Sequence, residues 1–196
     1  MGEGIALTKG DSLLLIDTQN DFVVGGALPV PGGEEVVPVL NRYIHLFEQR
    51  RLPIFATRDW HPQNHCSFQT QGGPWPAHCV VGSHGAEFVP SLQLPNTAVV
   101  ISKPSAPDLE TFTAFAKTNF DEQLRSFGVR RLFVGGLATD YCVLHTALDA
   151  LEHGFEVFLL LDAVRAVNVH PDDGEKAEKE LVSAGARPIT IEQIQT

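Results

Sequence analysis

Short apolar runs alternate along this chain with segments whose apolar residues recur at helical spacing, and this alternation limits the possible folds most strongly. The apolar runs are typical of strands buried on both faces of a sheet, and they lie at residues 12–17, 52–57, 97–102, 131–134, 156–161 and 187–190. The helical segments lie at residues 34–51, 120–127, 140–153 and 172–184. Strands separated by helices need crossover connections. The sequence therefore predicts an α/β fold with three layers, α/β/α, around a mostly parallel sheet of about six strands.

The chain length of 196 residues suits one domain, which we expect to span residues 1–196. We find no run of Ser, Gly or Pro long enough to form an interdomain linker. Residues 59–95 lack periodicity and are rich in His, Gly and Pro. A loop of that length within a compact domain usually carries function, so we expect it to hold a metal or a substrate.

The charge balance disfavours two classes of partner. Lys and Arg number 14 against 24 Asp and Glu, which gives a formal net charge of −10. Such an acidic surface repels nucleic acid and anionic lipid, and the longest apolar runs, at 13–16 and 155–161, are too short to span a bilayer. The N-terminal segment lacks the apolar core of a signal peptide, and the three cysteines are an odd number. We therefore expect free thiols and a cytoplasmic location.

Reactive residues follow four of the predicted strands. Asp17 ends the first strand, Asp59 follows the second, Lys103 follows the third, and Cys142 begins the helix after the fourth. Ligands of open parallel sheets bind at the carboxyl ends of the strands, so these side chains are expected at one edge.

Three of these residues make a chemically complete set. A cysteine nucleophile needs a base for its own proton and an acid for the leaving group, and the carboxylate of Asp17 can serve both steps. Lys103 would hold carboxylate and thiolate together by charge, and the N–H groups of the strand-to-helix turn would favour a thiolate at Cys142. Each residue also has a structural alternative: core packing for Cys142, capping of a turn for Asp17, and solvation for Lys103.

The 59–95 loop offers a second set of functional groups. Asp59 and His61 lie two residues apart just past a strand and can converge on one metal ion, with His78 as a third ligand from later in the loop. Two imidazoles and one carboxylate leave coordination positions open, as a catalytic or ligand-binding metal requires, and they suit zinc, iron or manganese. The alternative is that these side chains only form hydrogen bonds within a polar loop.

Aromatic residues lie beside these polar residues in the sequence. Phe22, Trp60, Trp75 and Tyr141 would be explained by stacking on a flat heteroaromatic ligand. Packing of the loop against the core explains Trp60 equally well.

Several long stretches resemble the isochorismatase-like cysteine hydrolases, and among these the nicotinamidases in particular. The similarity extends from about residue 13 to 186, and its motifs lie at residues 14–30, 57–68, 73–80, 135–143 and 162–174. The resemblance implies an isochorismatase-like fold and a catalytic triad of Asp17, Lys103 and Cys142. It also implies an oxyanion hole formed by the backbone N–H groups of Ala138 and Cys142, with a cis peptide bond just before Ala138.

The same resemblance implies a set of metal ligands in the loop. These are Asp59, His61 and His78, and His65 matches a position that ligates only in some members. One divalent ion is expected, with zinc as the first expectation and iron or manganese as alternatives. The sequence departs from the family pattern after Lys103, where 112–113 reads Phe-Thr instead of Tyr-Ser.

The activity implied by the resemblance is metal-dependent hydrolysis of nicotinamide to nicotinate and ammonia through a thioester, in NAD salvage. The expected partner is nicotinamide or a related ring carboxamide, with its ring in contact with Phe22, Trp75 and Tyr141. A homo-oligomer is also possible, because many members of the family self-associate. One alternative is another amidase of the superfamily, acting on a carbamoyl amine, ureidoacrylate or maleamate. A second is a catalytically silent metal-binding relative. Isochorismate hydrolysis is disfavoured because that branch of the superfamily lacks the cysteine present here at Cys142.

Overall fold

A six-stranded parallel sheet is the frame of the molecule. The computed structural model describes residues 4–195, and its strands are β1 (Asp11–Ile16), β2 (Ile54–Arg58), β3 (Val99–Ser102), β4 (Arg131–Leu137), β5 (Glu156–Arg165) and β6 (Arg187–Ile189). Its helices are α1 (Val36–Gln49), α2 (Phe120–Ser126), α3 (Leu144–Glu152) and α4 (Asp173–Ala184). All neighbouring strands pair in parallel. The predicted α/β fold with its parallel sheet is confirmed.

Alternate residues of β1 explain why both faces of the sheet are covered. Leu13 and Leu15 pack into an apolar cluster with α1, whereas Leu14 and Ile16 pack into a second cluster with α2, α3 and α4. Successive side chains of a strand point to opposite faces, so an unbroken apolar run requires a layer of helices on each side. These layers make up the α/β/α arrangement.

The strand order creates a crevice at the carboxyl edge of the sheet. The order is β3-β2-β1-β4-β5-β6, so the chain moves outward from β1 to β3 and then returns to add β4 on the other side of β1. The connections after β1 and β4 therefore leave the sheet in opposite directions. Such a switch point is where open α/β sheets bind their ligands.

Two strands are longer than the sequence predicted. β4 runs to Leu137 and β5 to Arg165, past the predicted ends at residues 134 and 161. Gly136 adopts φ +120°, and a Cβ there would lie 2.1 Å from the carbonyl oxygen of Ile16. Because glycine has no Cβ, this conformation lets β4 pass close to β1.

The connection after β4 also differs from its prediction. The helix predicted over residues 140–153 begins as a π-helical turn, Thr139–Val143, and becomes the regular helix α3 only at Leu144. The Leu137–Ala138 peptide bond is cis, as the resemblance implied.

The 59–95 loop contains no strand or α-helix and has two short 3-10 turns, Gln69–Gln71 and His84–Ala86. Among the described residues, no helix is both long enough and apolar enough to cross a bilayer. The expected domain also includes residues 1–3 and 196, which lie outside the described part of the chain.

Candidate active site

One ammonium group joins the residues that follow four different strands. Lys103 Nζ donates to Oδ2 of Asp17, to Sγ of Cys142 at 2.9 Å and to Oδ1 of Asp59 at 2.8 Å. All four side chains are buried, and Cys142 is only 6% exposed. The structure therefore brings together the three residues of the predicted triad and adds Asp59 to them.

Asp17 is held in place by a neighbouring strand. Its backbone is in the left-handed region with φ 41°, and its N–H donates to Oγ1 of Thr57 at 3.2 Å. The Thr57 hydroxyl in turn donates to Oδ1 of Asp17 at 2.6 Å. Sequence reasoning missed Thr57, although a hydroxyl residue at the end of a largely apolar predicted strand was an available signal.

Three acidic side chains, Asp17, Asp59 and Cys142, all contact the ammonium of Lys103 in this buried cluster. Burial raises the pKa of Asp17, and the nearby charge of Asp59 raises it further against the opposing effect of Lys103. Burial also acts to raise the pKa of Asp59, but the Lys103 ammonium and the contact with His61 hold it below its ordinary range. For Lys103, burial opposes the charged form, yet the carboxylates of Asp17 and Asp59 raise its pKa well above the ordinary value. The lysine is therefore cationic and Asp59 anionic.

The surroundings of Cys142 oppose the thiolate that the strand-to-helix turn was expected to stabilise. Burial raises the pKa of the Cys142 thiol well above its ordinary value, against the opposing effect of Lys103. A single ammonium with two carboxylates beside it does not compensate a third negative charge. A base close to the sulfur is therefore needed to take the thiol proton before the sulfur acts as a nucleophile.

The turn after β4, Thr139–Val143, carries the sulfur of Cys142. The carbonyl of Ala138 accepts hydrogen bonds from the N–H groups of Tyr141 and Val143, both at 3.1 Å. Ala138 and Cys142 both line the same cavity. The structure thus puts the two residues of the expected oxyanion hole at one wall of the cavity.

The predicted metal ligands form a compact group beside the lysine. Asp59, His61 and His78 are buried, and each offers one ligand atom within 4.8 Å of the others. Nδ1 of His61 is buried and has no hydrogen-bond partner among the described residues. Burial lowers the pKa of His78, which favours the neutral imidazole that binds metal. The donor set and the unpartnered nitrogen both fit a divalent ion with open coordination positions.

His65 stands apart from this group, although its ring lies 4.1 Å from that of His61 between centroids. Its Nδ1 is 2.7 Å from Oγ of Ser67, and its Nε2 is 2.9 Å from the carbonyl oxygen of Leu109. Both nitrogens are therefore engaged elsewhere, and the described arrangement favours the three-residue group without His65.

A cavity opens in front of the cysteine, with about 530 Å³ of empty space including its open mouth. The three expected ring contacts, Phe22, Trp75 and Tyr141, all line it. Trp75 and Tyr141 meet edge to face at 5.4 Å between ring centroids. Trp60 is not part of the lining; it packs against the core and lies under the guanidinium of Arg58.

Several lining residues were missed by sequence reasoning, among them Phe112 and Glu110. Phe112 lines the cavity and meets Tyr141 edge to face at 5.3 Å between centroids, and the exposed Glu110 lies in the same wall. The departure at residues 112–113 had marked this segment, but sequence alone gave it no position.

Comparisons with known proteins agree with the fold. A family model described as the isochorismatase domain matches residues 11–193. A nicotinamidase of Escherichia coli (strain K12) is 41% identical over 201 residues, covering 92% of this chain and 94% of the relative. The crystal structure of the pyrazinamidase of Pyrococcus horikoshii in complex with zinc is 49% identical, with a TM-score of 0.89, and the match covers 93% of this chain and 99% of that one. A protein of L. infantum, solved in complex with nicotinate, is 37% identical with a TM-score of 0.92, and the match covers 98% of both chains.

Proposed function

This chain belongs to the isochorismatase family, and from that premise we propose that it is a metal-dependent nicotinamidase, a cysteine hydrolase that converts nicotinamide to nicotinate and ammonia through a thioester. The observation that carries the proposal is the contact of one buried ammonium, Lys103, with both Asp17 and Cys142 at the wall of an aromatic cavity. The relatives support the choice of substrate, because they include nicotinamidases and a structure with bound nicotinate. The proposed setting is NAD salvage in the cytoplasm.

The chemistry of the cavity wall favours a neutral ring amide over a substrate with a carboxylate. Ureidoacrylate and maleamate are anions, and proteins commonly bind the carboxylate of such a ligand with an Arg or Lys side chain. Among the described residues that line the cavity there is no Lys or Arg, and the acidic ones are Asp59 and Glu110. Aromatic rings supply much of the rest of the wall, which suits the flat face of a pyridine ring.

The first half of the reaction forms the thioester. The carboxylate of Asp17 takes the proton of the Cys142 thiol while the Lys103 ammonium stays between them. The sulfur then bonds to the carboxamide carbon, and the carbonyl electron pair moves to oxygen, facing the N–H groups of Ala138 and Cys142. Each such donor lowers the barrier by about 2.7–4 kcal/mol. When the C–N bond breaks, the proton on Asp17 passes to the amine, and ammonia leaves.

The second half releases the acid. The carboxylate of Asp17, now without its proton, takes one from a water molecule whose oxygen bonds to the thioester carbon. The C–S bond then breaks, and the same proton returns to the sulfur of Cys142. The products are the starting thiol and nicotinic acid, which gives its remaining proton to solvent and leaves as nicotinate. One carboxyl group, that of Asp17, therefore transfers protons in both halves.

Asp59, His61 and His78 would hold the divalent metal. When bound, the metal supplies a Lewis-acid centre that can orient a ring nitrogen, directly or through water. Zinc is the proposed ion, in keeping with the pyrazinamidase solved in complex with zinc, and iron and manganese suit the same donors.

An ammonia-release assay with nicotinamide, run before and after chelation, tests the activity. Cys142→Ala is expected to lower turnover to about a thousandth of wild type or less, because the nucleophile is lost. It leaves the metal content unchanged, since the sulfur is not among the proposed ligands. Cys66→Ala is the matched control, because this half-buried thiol lies outside the cavity lining. Trapping of the acyl group by hydroxylamine, as the nicotinoyl hydroxamate, tests the thioester. No ammonia release by the zinc-loaded wild-type protein would refute the proposal.

A further inference from the structure

The candidate metal group has two halves, Asp59 in one and His78 in the other. Two side chains just after β1, Gln19 and Asp21, each hold the main chain of one half. We propose that they are positioning residues that set the separation of Asp59 and His78, and with it the affinity of the site for a divalent ion. This inference rests on the metal-binding part of the proposed function.

Gln19 fixes the backbone of Asp59. The Gln19 side chain is fully buried; its Oε1 accepts from the N–H of Asp59 at 2.8 Å, and its Nε2 donates to the Asp59 carbonyl at 2.8 Å. The second hydrogen of Nε2 is donated to the carbonyl of Ala86 at 2.9 Å. The side-chain amide thus pairs with the main chain of Asp59 as a neighbouring strand would, and both of its amide hydrogens are used. Gln19 therefore fixes the main chain from which the Asp59 carboxylate projects.

Asp21 fixes the other half of the group. Its Oδ2 accepts from the N–H of Cys79 at 2.7 Å, and its Oδ1 accepts from the N–H of Ala27 at 3.0 Å. Cys79 follows His78 directly and adopts φ 46°, a conformation that a residue with a Cβ rarely takes. A Cβ at Gly85 would lie 2.0 Å from Oδ2 of Asp21, so the carboxylate packs directly against the main chain at Gly85. Asp21 therefore determines where the chain carries His78.

The third ligand is tied to the second half by the main chain. The N–H of His61 donates to the carbonyl of Cys79 at 2.9 Å, and the N–H of Val81 donates to the carbonyl of His61 at 2.9 Å. Gln19 and Asp21 are two residues apart, so one short segment anchors all three ligands to the end of β1. Loss of a partner that orients a metal ligand typically weakens metal binding by about 10–100-fold.

The test measures zinc affinity by competition with a chelator, in the absence of nicotinamide. Gln19→Met keeps the side-chain length and the net charge but removes three hydrogen bonds, and we expect zinc binding about tenfold weaker or more. Asp21→Asn can still accept from one of its two N–H partners, and we expect a loss of similar direction. Asn20→Ala is the matched control, because the Asn20 side chain lies between the two and donates only to the carbonyl of His84 at the surface. Its zinc affinity should stay within about twofold of wild type.

The possible outcomes separate positioning from stability. If Gln19 and Asp21 only stabilise the fold, their variants will melt at lower temperature without metal but bind zinc within twofold of wild type at temperatures where they are folded. That result would overturn the inference. Should Gln19→Met not fold, Gln19→Glu keeps the acceptor for the Asp59 N–H and loses both donors, and the same loss of affinity is expected. Failure of the wild type to bind zinc would instead overturn the metal-binding part of the proposed function.

Discussion

Nζ of Lys103 lies 2.8 Å from Oδ1 of Asp59, so the ammonium that contacts the nucleophile also contacts a candidate metal ligand. The triad and the metal group are therefore parts of one buried cluster of charges. Removing its only ammonium would leave the carboxylates of Asp17 and Asp59 uncompensated in the same closed space.

Lys103→Met should consequently lower turnover far more than the loss of one hydrogen bond would. The variant keeps the length of the side chain, but Asp17 would then hold a proton in the resting site because its charge has no counter-ion. A protonated Asp17 cannot accept the thiol proton, so we expect turnover to fall by about a thousandfold, as for other members of a catalytic set. Ammonia release with saturating zinc and nicotinamide measures this.

Lys179→Met is the matched control for that change. Lys179 pairs with Glu175 on the exposed face of α4 with its side chain 71% exposed, so turnover should stay within about twofold of wild type. Retention of more than a tenth of wild-type turnover by Lys103→Met would contradict the assigned role of Lys103.

The pH dependence of kcat/KM should reveal the base. Burial raises the pKa of Asp17, so activity should be lost, as the pH falls, at a pH above the ordinary aspartate value of about 3.9. The sign follows from the chemistry, because only the ionised carboxylate can accept the thiol proton. Metal content must be measured at each pH, since metal affinity itself falls as the pH is lowered.

A variant of Thr57 should shift the acid limb of the pH profile, where activity is lost as the pH falls, in a defined direction. Its hydroxyl donates to Asp17 and stabilises the ionised form, so Thr57→Val should raise the midpoint of the acid limb by about one pH unit. Thr57→Ser keeps the hydroxyl and should leave the limb near its wild-type position. An acid limb that is the same in all three proteins would mean that Asp17 is not the titrating group.

His61→Ala should separate metal binding from the chemistry of the nucleophile. One of three ligands is lost, so the purified variant should contain little zinc, and KM for nicotinamide should rise because the ring nitrogen loses its anchor. Metal analysis of the dialysed protein and steady-state kinetics measure the two effects. His84→Ala, which changes a histidine on the exposed side of the same loop, should retain both zinc and KM. Full zinc content in His61→Ala would show the ligand assignment to be wrong.

The convergence of Asp17, Lys103 and Cys142 could be predicted because parallel strands bring their carboxyl ends together whatever the details of the loops. Asp17, Lys103 and Cys142 needed only the positions of three strand ends, and the fold put them at one edge. The direction of the Cys142 pKa could not be predicted in this way, because it depends on burial and on how many acids share one cation.

The residues that support the site were also beyond the reach of sequence patterns. Gln19 and Thr57 act on partners 40 residues away, through contacts that exist only once β1 and β2 are side by side. The extension of β4 to Leu137 was not predicted for a related reason, since the close approach of Gly136 to Ile16 is a tertiary contact that the sequence does not display.

Glu110 should decide how the cavity treats anions. It is the exposed acidic residue of the lining, and the product nicotinate is an anion whereas nicotinamide is neutral. Glu110→Lys reverses the sign of one charge, and for charges roughly 8 Å apart in water this amounts to about 1 kcal/mol, or roughly fivefold in affinity. We expect nicotinate to inhibit the variant about fivefold more strongly, and ring amides with an added carboxylate to gain kcat/KM relative to nicotinamide.

Glu180→Lys makes the same change in net charge on α4, outside the cavity lining, and should alter neither ratio. The effect on nicotinate should shrink in high salt, because exposed charges are screened. Equal inhibition of Glu110→Lys, Glu180→Lys and wild type by nicotinate at low salt would exclude Glu110 as a determinant of charge selection.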